Sequence, residues 1–354
     1  MTNENIFSLY YSNPPELIET IDLCRGEDDF RRIYITDNGA TKLAVKHTSN
    51  SFTDAAKIAA WSRLIDEYNN LGIYCPKIVL NRSGSKVFEY TENGRVYHIY
   101  AEEFAKYHIA EKIITDELKD ENGRPRYVDD LLRSVGKVAS AYFDFMDFHS
   151  AYCLLEPYSA PDTTDEGTET ALRFCSYVKD NIPAFYSKVQ ALLEIFYRNR
   201  EELRKIYHTL PVSCFQADLN DSNVLIDGAG NFKGLIDFNL SGKEPALNYT
   251  VRAALWLIFD SRLYDENNSR LYWYSEELND LRMNEFMRNI SCIEEFYAYS
   301  DIERRAFPVL FRYMNSFWWH QIWEIERIRD NSEKIDTLLN WLRLQMTRDD
   351  IRLP

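Results

Sequence analysis

A short hairpin with polar residues at both of its ends constrains this chain more than any other feature. Two apolar runs, residues 224–226 and 234–236, are separated by the turn sequence Asp-Gly-Ala-Gly-Asn. A hairpin folds back on itself, so the residues before its first strand and after its second strand meet at one end. Asp218, Asn223 and Asp237 are therefore expected to converge there, and each can bind Mg²⁺ or accept a proton.

The spacing of these three residues suits phosphoryl transfer. That reaction uses one carboxylate to orient the attacking hydroxyl and take its proton, and an Asn and an Asp to hold Mg²⁺ on the phosphates. Asp218 and Asn223 are five positions apart, as in the catalytic loop of kinases, and Asp237 begins an Asp-Phe pair. The alternative is that all three are turn residues, since Asp and Asn are common in hairpins. Their order, with apolar strands between them, favours the catalytic interpretation.

The segment resembles the catalytic segment of the aminoglycoside phosphotransferase and choline kinase group, whose members have the protein-kinase-like fold. The usual His-Gly-Asp opening of that group is Gln216-Ala217-Asp218 here, and Asn239 follows the Asp-Phe pair where many relatives have Glu or Ala. Neither change removes a metal ligand or the base. The resemblance implies that Asp218 is the catalytic base and that Asn223 and Asp237 bind Mg²⁺.

The resemblance also implies an α+β, bilobal fold. A small N-lobe (residues 1–105) would contain an antiparallel sheet and one helix, and bind the nucleotide. A larger helical C-lobe (residues 106–354) would contain the catalytic hairpin, residues 214–240, and the substrate-binding helices. Apolar periodicity and Asn-Gly turns predict the following elements: strands 32–36, 42–47, 86–91 and 95–100, a helix from Asp54 to Gly72, and helices over 128–149, 177–207 with a break near Pro183, 246–259, and several within 270–346.

Lys46 is the expected phosphate-binding residue of the N-lobe. The sequence Leu43-Ala-Val-Lys46 matches the Val-Ala-Ile-Lys pattern of the kinase strand whose Lys contacts the nucleotide phosphates. The following helix should supply an acidic partner, and Asp54 is favoured over Glu67 because it lies on the helix face turned toward the sheet. A helix N-cap role for Asp54 is an equal alternative.

The segment after the last N-lobe strand corresponds to the hinge of the family, where backbone groups bind the adenine edge. The resemblance places Glu103 and Phe104 there. Side chains at a hinge need no special chemistry, so the residue types neither support nor oppose this assignment.

Composition excludes several other classes of protein. The formal net charge of −15 over 354 residues argues against nucleic acid, whose binding depends on Lys and Arg. No apolar stretch is long enough to span a membrane, and the N-terminus lacks the features of a signal peptide. The six cysteines lie far apart, without a Cys-x-x-Cys pair. A reduced, cytoplasmic protein is expected, and the sequence leaves its oligomeric state open.

The acceptor is the least constrained part of the prediction. Residues 156–169 contain five acidic residues and no basic residue, which favours a cationic acceptor if the segment lines the cleft, or a solvated loop if it does not. Residues 317–323 could offer aromatic faces to a cationic group, although packing in the core is the more common role of such rings.

These patterns together predict a kinase that transfers the γ-phosphate of ATP, with Mg²⁺, to a hydroxyl of a small molecule. The family resemblance favours an amine-bearing acceptor of the aminoglycoside or choline type. Two alternatives remain open: a pseudokinase that binds nucleotide without transfer, and a structural protein of the spore-coat type. The acidic loop at residues 24–30, where a glycine-rich loop would cover the phosphates, prompts the first of these alternatives.

Overall fold

The computed structural model describes residues 1–157 and 164–353. The N-terminal third contains two helices and six strands: α1 Asn3–Ser8, β1 Glu16–Asp22, β2 Phe30–Asp37, β3 Lys42–Ser49, α2 Ala55–Asn70, β4 Ile78–Val79, β5 Phe88–Glu92 and β6 Arg95–Glu103. The strands form one antiparallel sheet in the order β1-β2-β3-β6-β4, and β5 also pairs with β6. The α+β fold class predicted from the sequence is confirmed.

The turn between β2 and β3 shows why this hairpin could be predicted. The Asp37 carboxylate accepts a hydrogen bond from the Gly39 N–H at 2.7 Å, and the Asn38 side chain accepts one from the Thr41 N–H at 2.8 Å. Side chains that bond to their own turn in this way fix the hairpin locally. Strand β1 was not predicted, because nearly all of its residues are exposed and it has no alternation of apolar and polar positions.

The remaining chain is mainly helical. Its elements are β7 His108–Ile109, α3 Ala110–Ile113, α4 Val128–Ala141, α5 Glu166–Asn181, α6 Tyr186–Tyr207, β8 Val212–Phe215, β9 Val224–Ile226, β10 Phe232–Leu235, β11 Gly242–Pro245, α7 Ala246–Trp256, α8 Glu276–Glu294, α9 Asp301–Met314, α10 Trp319–Arg327 and α11 Ser332–Thr347. β10, β9 and β7 form a three-stranded sheet, and β11 pairs with β8. None of the helices within the described residues has the length and apolar character needed to cross a membrane.

One predicted helix is too long. The sequence predicts a helix over residues 128–149, but α4 ends at Ala141, and Tyr142 adopts a left-handed conformation with φ of 50°. Beyond this point the Phe143 N–H donates to the Ser213 hydroxyl at 3.0 Å, so the chain joins the region of β8 instead of continuing the helix. The apolar residues after Tyr142 imitate helical spacing while packing as a loop. The predicted break at Pro183 is confirmed, because a 3₁₀ turn separates α5 from α6 there.

The two faces of the N-terminal sheet pack against different layers. A small cluster that includes Phe7, Tyr34, Val45 and Ile99 joins α1 to one face. The apolar side of α2 belongs to the large core that continues into the helical part of the chain. Because α2 contributes to that larger core, it connects the sheet to the region of the hairpin β9–β10.

A close backbone contact fixes β10 against the N-terminal part. The Tyr74 N–H donates to the Lys233 carbonyl at 3.1 Å, and the Leu235 N–H donates to the Tyr74 carbonyl at 3.0 Å. A Cβ atom on Gly234 would lie 1.7 Å from the Tyr74 carbonyl oxygen. Only glycine permits such a close approach. Because β10 leads directly to Asp237, this contact helps to position the Asp237 backbone.

Candidate active site

The hairpin β9–β10 brings the predicted residues to one end of the small sheet. Val224 pairs with Leu235, and the Ile236 N–H donates to the Asn223 carbonyl at 2.9 Å. At the opposite end, the Asp227 carboxylate accepts hydrogen bonds from the backbone N–H groups of the turn and closes it. The register of this hairpin therefore places the segment from Asp218 to Asn223 beside Asp237.

Asp218 has the environment of a proton acceptor. One of its carboxylate oxygens accepts a hydrogen bond from the Asn220 amide, and the other accepts one from the Asn223 amide at 2.9 Å. Burial raises the pKa of Asp218 above its ordinary value, the nearby charge of Asp237 raises it further, and the two amides partly oppose that rise. A carboxylate that is oriented by donors and has a raised pKa is suited to take a proton from a hydroxyl.

Asn223 and Asp237 form a donor set that fits a divalent metal. The Asn223 side-chain nitrogen donates to Asp218, which directs the amide oxygen away from that carboxylate. Mg²⁺ commonly binds one or two protein oxygens together with substrate phosphates. Within the part of the chain that the structure describes, no group of three His, Cys, Asp or Glu side chains could hold a metal ion. A metal at this hairpin would therefore need the Asn223 amide oxygen, the Asp237 carboxylate and oxygens from the nucleotide.

Asp237 sits in a strained backbone position that two hydrogen bonds maintain. Its φ is 57°, in the left-handed region that few residues other than glycine adopt. The Gln216 side-chain nitrogen donates to the Asp237 carbonyl at 2.8 Å and to the Ile236 carbonyl at 3.0 Å. The neighbouring Phe238 ring is buried and packs edge-on against Tyr68 of α2. Strain of this kind persists only where surrounding contacts determine it.

Lys46 reaches this cluster from β3. Its ammonium lies 3.4 Å from the Asp237 carboxylate and 2.8 Å from the Glu102 carboxylate, and Lys46 is 7% exposed. Burial alone would lower the pKa of Lys46, but Glu102, Tyr100 and Asp237 together outweigh burial, so the pKa lies above the ordinary value. Lys46 is therefore held as a cation beside a proposed metal ligand.

Lys46 pairs with neither Asp54 nor Glu67 of helix α2, and the alternative prediction for Asp54, a helix N-cap, is confirmed. Asp54 is the N-cap of α2, and its carboxylate accepts a hydrogen bond from the Lys57 N–H at 2.8 Å. Glu67 accepts a hydrogen bond from Asn70 on the same helix instead. Lys46 pairs with Glu102 on β6, because the antiparallel register places Ala44 opposite Glu102 and Lys46 opposite Tyr100, on one face of the sheet.

The predicted hinge residues use their backbone donors inside the protein. The Glu103 N–H donates to the Lys77 carbonyl at 2.9 Å, and the Phe104 N–H donates to the Lys42 carbonyl at 3.1 Å. The next residue, Ala105, is half-buried, and its N–H makes no hydrogen bond to the described residues. If adenine binds at this segment, Ala105 is the available backbone donor, one or two residues beyond the predicted positions.

The three carboxylates of the acidic loop at residues 24–30 do not point toward one common site. Glu27 and Asp28 are exposed, and Asp29 pairs with Arg31 at 2.8 Å. The Arg95 guanidinium donates to the Glu27 carbonyl oxygen at 2.6 Å and anchors the loop to β6. Solvent exposure screens such charges, so this loop gives no physical reason to exclude a nucleotide.

A large cavity adjoins the segment between Asp218 and Asn223 on the helical side. Its volume is about 1070 Å³, and Asn220, Asp221 and Ser222 contribute to its wall. Six carboxylates line it, which gives it an acidic character: Glu111, Asp116, Asp120, Glu121, Asp221 and Asp265. A second cavity of about 270 Å³ lies nearby, and Trp256, Trp318 and His320 line both of them.

The acidic residues of the segment 156–169 do not all line a cleft or form a solvated loop, because Asp165 has a structural role. Asp162 lies outside the described residues. Asp165 is buried, caps α5, and pairs with Arg200 at 2.6 Å, while the Tyr313 hydroxyl donates to it at 2.8 Å. Arg200 and the hydrogen-bond donors hold the pKa of Asp165 below its ordinary value, although burial opposes them. Asp165 therefore stabilises the helical part of the chain. It lines the second cavity together with Glu166, which is exposed.

The aromatic segment 317–323 has both roles that the sequence left open. Phe317 is buried and contacts Phe174 and Phe196, as expected for a core residue. Trp318 lines both cavities, whereas Trp323 lines the second and is 62% exposed. An exposed indole at a cavity mouth does not contribute fully to the core, so this segment also shapes a surface that a ligand could contact.

Sequence reasoning missed three residues that build this site. Glu102 neutralises Lys46, Gln216 supports the Asp237 backbone, and Ala105 offers the free backbone donor. Gln216 could have been suspected, since it takes the place of the His in the His-Gly-Asp opening. Glu102 and Ala105 depend on strand register and backbone geometry, for which a single sequence gives no local signal.

Comparisons with known proteins support the fold and identify the family. A search for sequence relatives among curated proteins finds no match. The fold is similar to that of amicoumacin kinase hAmiN in complex with AMP-PNP, Ca²⁺ and Ami, with 14% identity, a TM-score of 0.50, and coverage of 97% of this chain and 91% of that one. It is also similar to a microcompartment-associated aminopropanol kinase, with 12% identity, a TM-score of 0.50, and coverage of 97% and 94%. The model of the phosphotransferase enzyme family (APH) matches residues 20–261, so this chain belongs to that family.

Proposed function

We propose that this protein transfers the γ-phosphate of ATP to a hydroxyl group of a small molecule. The observation that carries the proposal is the convergence of Asp218, Asn223, Asp237 and Lys46 at one end of the hairpin. In addition, Asp218 is the member of this set whose pKa is raised by burial and by Asp237. A phosphoryl-transfer enzyme needs these separate functions, namely a base, metal ligands and a phosphate-binding cation.

Each residue has one role in this proposal. Asp218 orients the acceptor hydroxyl and takes its proton as the hydroxyl oxygen bonds to the γ-phosphorus and ADP leaves. Lys46 binds nucleotide phosphate oxygens, and Glu102 keeps it charged and in place. Asn223 and Asp237 would hold Mg²⁺, which, when bound, neutralises charge on the phosphates. The Glu103–Ala105 segment would contact the adenine edge through its backbone.

The acidic cavity supports an amine-bearing acceptor. Asp116 pairs with Lys119, and Asp120 and Asp265 accept hydrogen bonds within their own turns. Glu111 and Glu121 make no ion pair within the described residues, so they are free to attract an ammonium group. Because the cavity wall includes Asn220, which contacts Asp218, an acceptor that fills it would lie beside the base.

Nucleotide binding and transfer are tested separately. With Mg²⁺ present, ATP should raise the melting temperature, because a ligand that binds the native state stabilises it; in EDTA this effect should disappear. ADP formation should then depend on an added acceptor from a panel of amino alcohols and aminoglycosides. Equal stabilisation by ATP with and without Mg²⁺ would contradict the proposed metal ligands.

The variant Asp218→Asn separates transfer from binding. It removes the proton acceptor while keeping the size of the side chain, so turnover should fall about 100-fold or more with little change in ATP affinity. Asp280→Asn, at an exposed position on α8, is the matched control and should behave as the native protein. Near-native turnover in Asp218→Asn would show that Asp218 is not the base, and stabilisation by MgATP without any turnover on the whole panel would favour a pseudokinase.

A further inference from the structure

The large cavity contains a buried arginine that has no acidic partner among the described residues. Arg282 lies on α8, is 7% exposed, and lines the cavity together with Tyr272 and Trp341. The centroids of these rings lie 5.0 and 5.9 Å from the guanidinium carbon. Its polar partners are all uncharged: the Asn315 side chain accepts a hydrogen bond at 2.6 Å, the Tyr272 side chain also hydrogen-bonds to it, and the Met283 sulfur lies 4.0 Å away.

This environment leaves the charge of Arg282 without a counter-ion. No Asp or Glu of the described ranges forms an ion pair with it. Burial lowers the pKa of Arg282, the tyrosines oppose this, and the cation of Arg348 lowers it further. A guanidinium has five N–H donors, and the side chains of Asn315 and Tyr272 satisfy some of them but bring no negative charge. Buried charges in proteins are normally paired, so an anion is the missing partner.

A second arginine lines the same cavity. Arg270 is half-buried, and its guanidinium carbon lies 5.7 Å from the centroid of Trp273, the residue that follows Tyr272 in the wall. Arg270 also forms no ion pair with a carboxylate of the described chain. Its charge reaches His320, another residue of the cavity wall, whose pKa is lowered mainly by burial and then by Arg270. Two arginines without acidic partners therefore line a cavity that is otherwise rich in carboxylates.

The arginines and the catalytic loop share this one cavity. Asn220, which contacts Asp218, belongs to its wall, as do Arg270 and Arg282. Four of the six carboxylates of the wall come from residues 111–121, whereas both arginines come from residues 270–282, so most of the negative charge lies on a different segment from the arginines. Planar guanidinium groups bind carboxylate and phosphate oxygens particularly well, because two parallel hydrogen bonds can form.

We infer that the acceptor of this enzyme carries an oxyanion, a carboxylate or phosphate group, that binds to Arg270 and Arg282. The inference rests on the proposed function and deepens it. The acidic segment of the wall takes the amine, the arginines take the oxyanion, and the hydroxyl lies at Asp218. The acceptor is then zwitterionic, unlike a polycationic aminosugar or a simple quaternary amine.

Anion binding can be measured without turnover. The protein is first saturated with a non-hydrolysable ATP analogue and Mg²⁺, so that the nucleotide site is occupied, and its thermal stabilisation is recorded. Inorganic phosphate and succinate are then titrated calorimetrically at constant ionic strength. The dissociation constant of the tighter anion should rise about tenfold or more in Arg282→Gln and in Arg270→Gln. Arg204→Gln, at an exposed position on α6, is the matched control and should leave it unchanged.

The possible results separate this inference from the proposed function. Tighter binding of phosphate assigns a phosphate group to the acceptor, and tighter binding of succinate assigns a carboxylate. If Arg282→Gln fails to fold, Arg270→Gln alone decides. The inference would be overturned if Arg270→Gln bound the anion with native affinity, or if the native protein bound no anion while the nucleotide analogue stabilised it. Neither result would contradict the proposed kinase function. Failure of the analogue to stabilise the protein would contradict the proposed function instead.

A panel of paired acceptors tests the same inference by turnover. Each pair contains a hydroxylated amine with a carboxylate and the corresponding carboxamide. The carboxylate member should have a KM at least about tenfold lower, and Arg270→Gln should remove this difference while kcat changes little. Efficient turnover restricted to carboxamides or to purely cationic acceptors would overturn the inference.

Discussion

The ion pair between Lys46 and Glu102 gives the sharpest test of the structure. The two side chains are 9% and 11% exposed, and their charged atoms are 2.8 Å apart. Glu102→Gln keeps the shape of the side chain but removes its charge, so Lys46 becomes a buried cation whose remaining acidic partner is Asp237, at 3.4 Å. The change should lower both the free energy of unfolding and the affinity for ATP, because Glu102 holds Lys46 in place.

The expected loss of stability follows from the distances. Two unit charges 2.8 Å apart attract each other by about 6 kcal/mol at an effective dielectric constant of about 20. Removing both ions from water offsets most of this attraction, yet removing one partner of a buried pair costs about 3–5 kcal/mol, because the other charge stays buried. Since Asp237 remains near Lys46, we expect a loss near the lower end, about 3 kcal/mol.

Urea unfolding, followed by tryptophan fluorescence, measures this loss, and two variants serve as controls. Glu103→Gln changes the neighbouring exposed carboxylate and should cost less than about 0.5 kcal/mol. Asp54→Ala removes the N-cap of α2 and should cost about 1 kcal/mol without changing ATP affinity. If Glu102→Gln is as stable as Glu103→Gln, or if Asp54→Ala alone weakens ATP binding, the assignment of Glu102 as the partner of Lys46 is refuted.

Two further predictions concern the hairpin. Because the pKa of Asp218 is raised in the folded protein, kcat should fall as the pH drops through a value above that of an ordinary Asp. Protonated Asp218 also stabilises the folded protein, and this contribution is present below the pKa of the unfolded state and is lost as the pH rises through the pKa of the folded state. A pH–rate profile checks the first effect, and a limb at or below pH 4 would contradict it. Gly234→Ala forces a Cβ against the Tyr74 carbonyl and should destabilise the protein by about 3 kcal/mol, whereas Gly228→Ala, with open space around it, should cost much less in the same urea assay.

The parts of the fold that could be predicted are those with local causes. The turn at Asp37 and Asn38 is closed by its own side chains, and the apolar stripe of α2 lies within one helix. The hairpin β9–β10 is also local, so the meeting of Asp218 with Asp237 follows from a short stretch of sequence. Such features need no knowledge of distant contacts.

The parts that could not be predicted depend on contacts between distant segments. Glu102 becomes the partner of Lys46 through the register of β3 with β6, which brings together residues 56 positions apart. The lack of an acid beside Arg282 is likewise a property of the packed helices, since its neighbours Asn315 and Trp341 come from other segments. Sequence patterns identify residue types, but they do not give the register of paired strands or the composition of a cavity wall.

The opening Gln216-Ala217-Asp218 shows how the site tolerates changed residues when backbone geometry is kept. Ala217 has φ of 78°, the conformation for which the usual glycine of the family is suited, so the chain accepts strain there rather than alter the turn. The Gln216 side-chain amide donates hydrogen bonds to the carbonyls of Ile236 and Asp237, and its backbone N–H donates to the Tyr68 hydroxyl on α2. These contacts join the proposed base, the proposed metal-binding segment and helix α2 in one packed unit. Gln216 therefore positions the backbone of Ile236 and Asp237. The strained turn at Ala217 determines where the Asp218 side chain begins, which explains why the strain is kept.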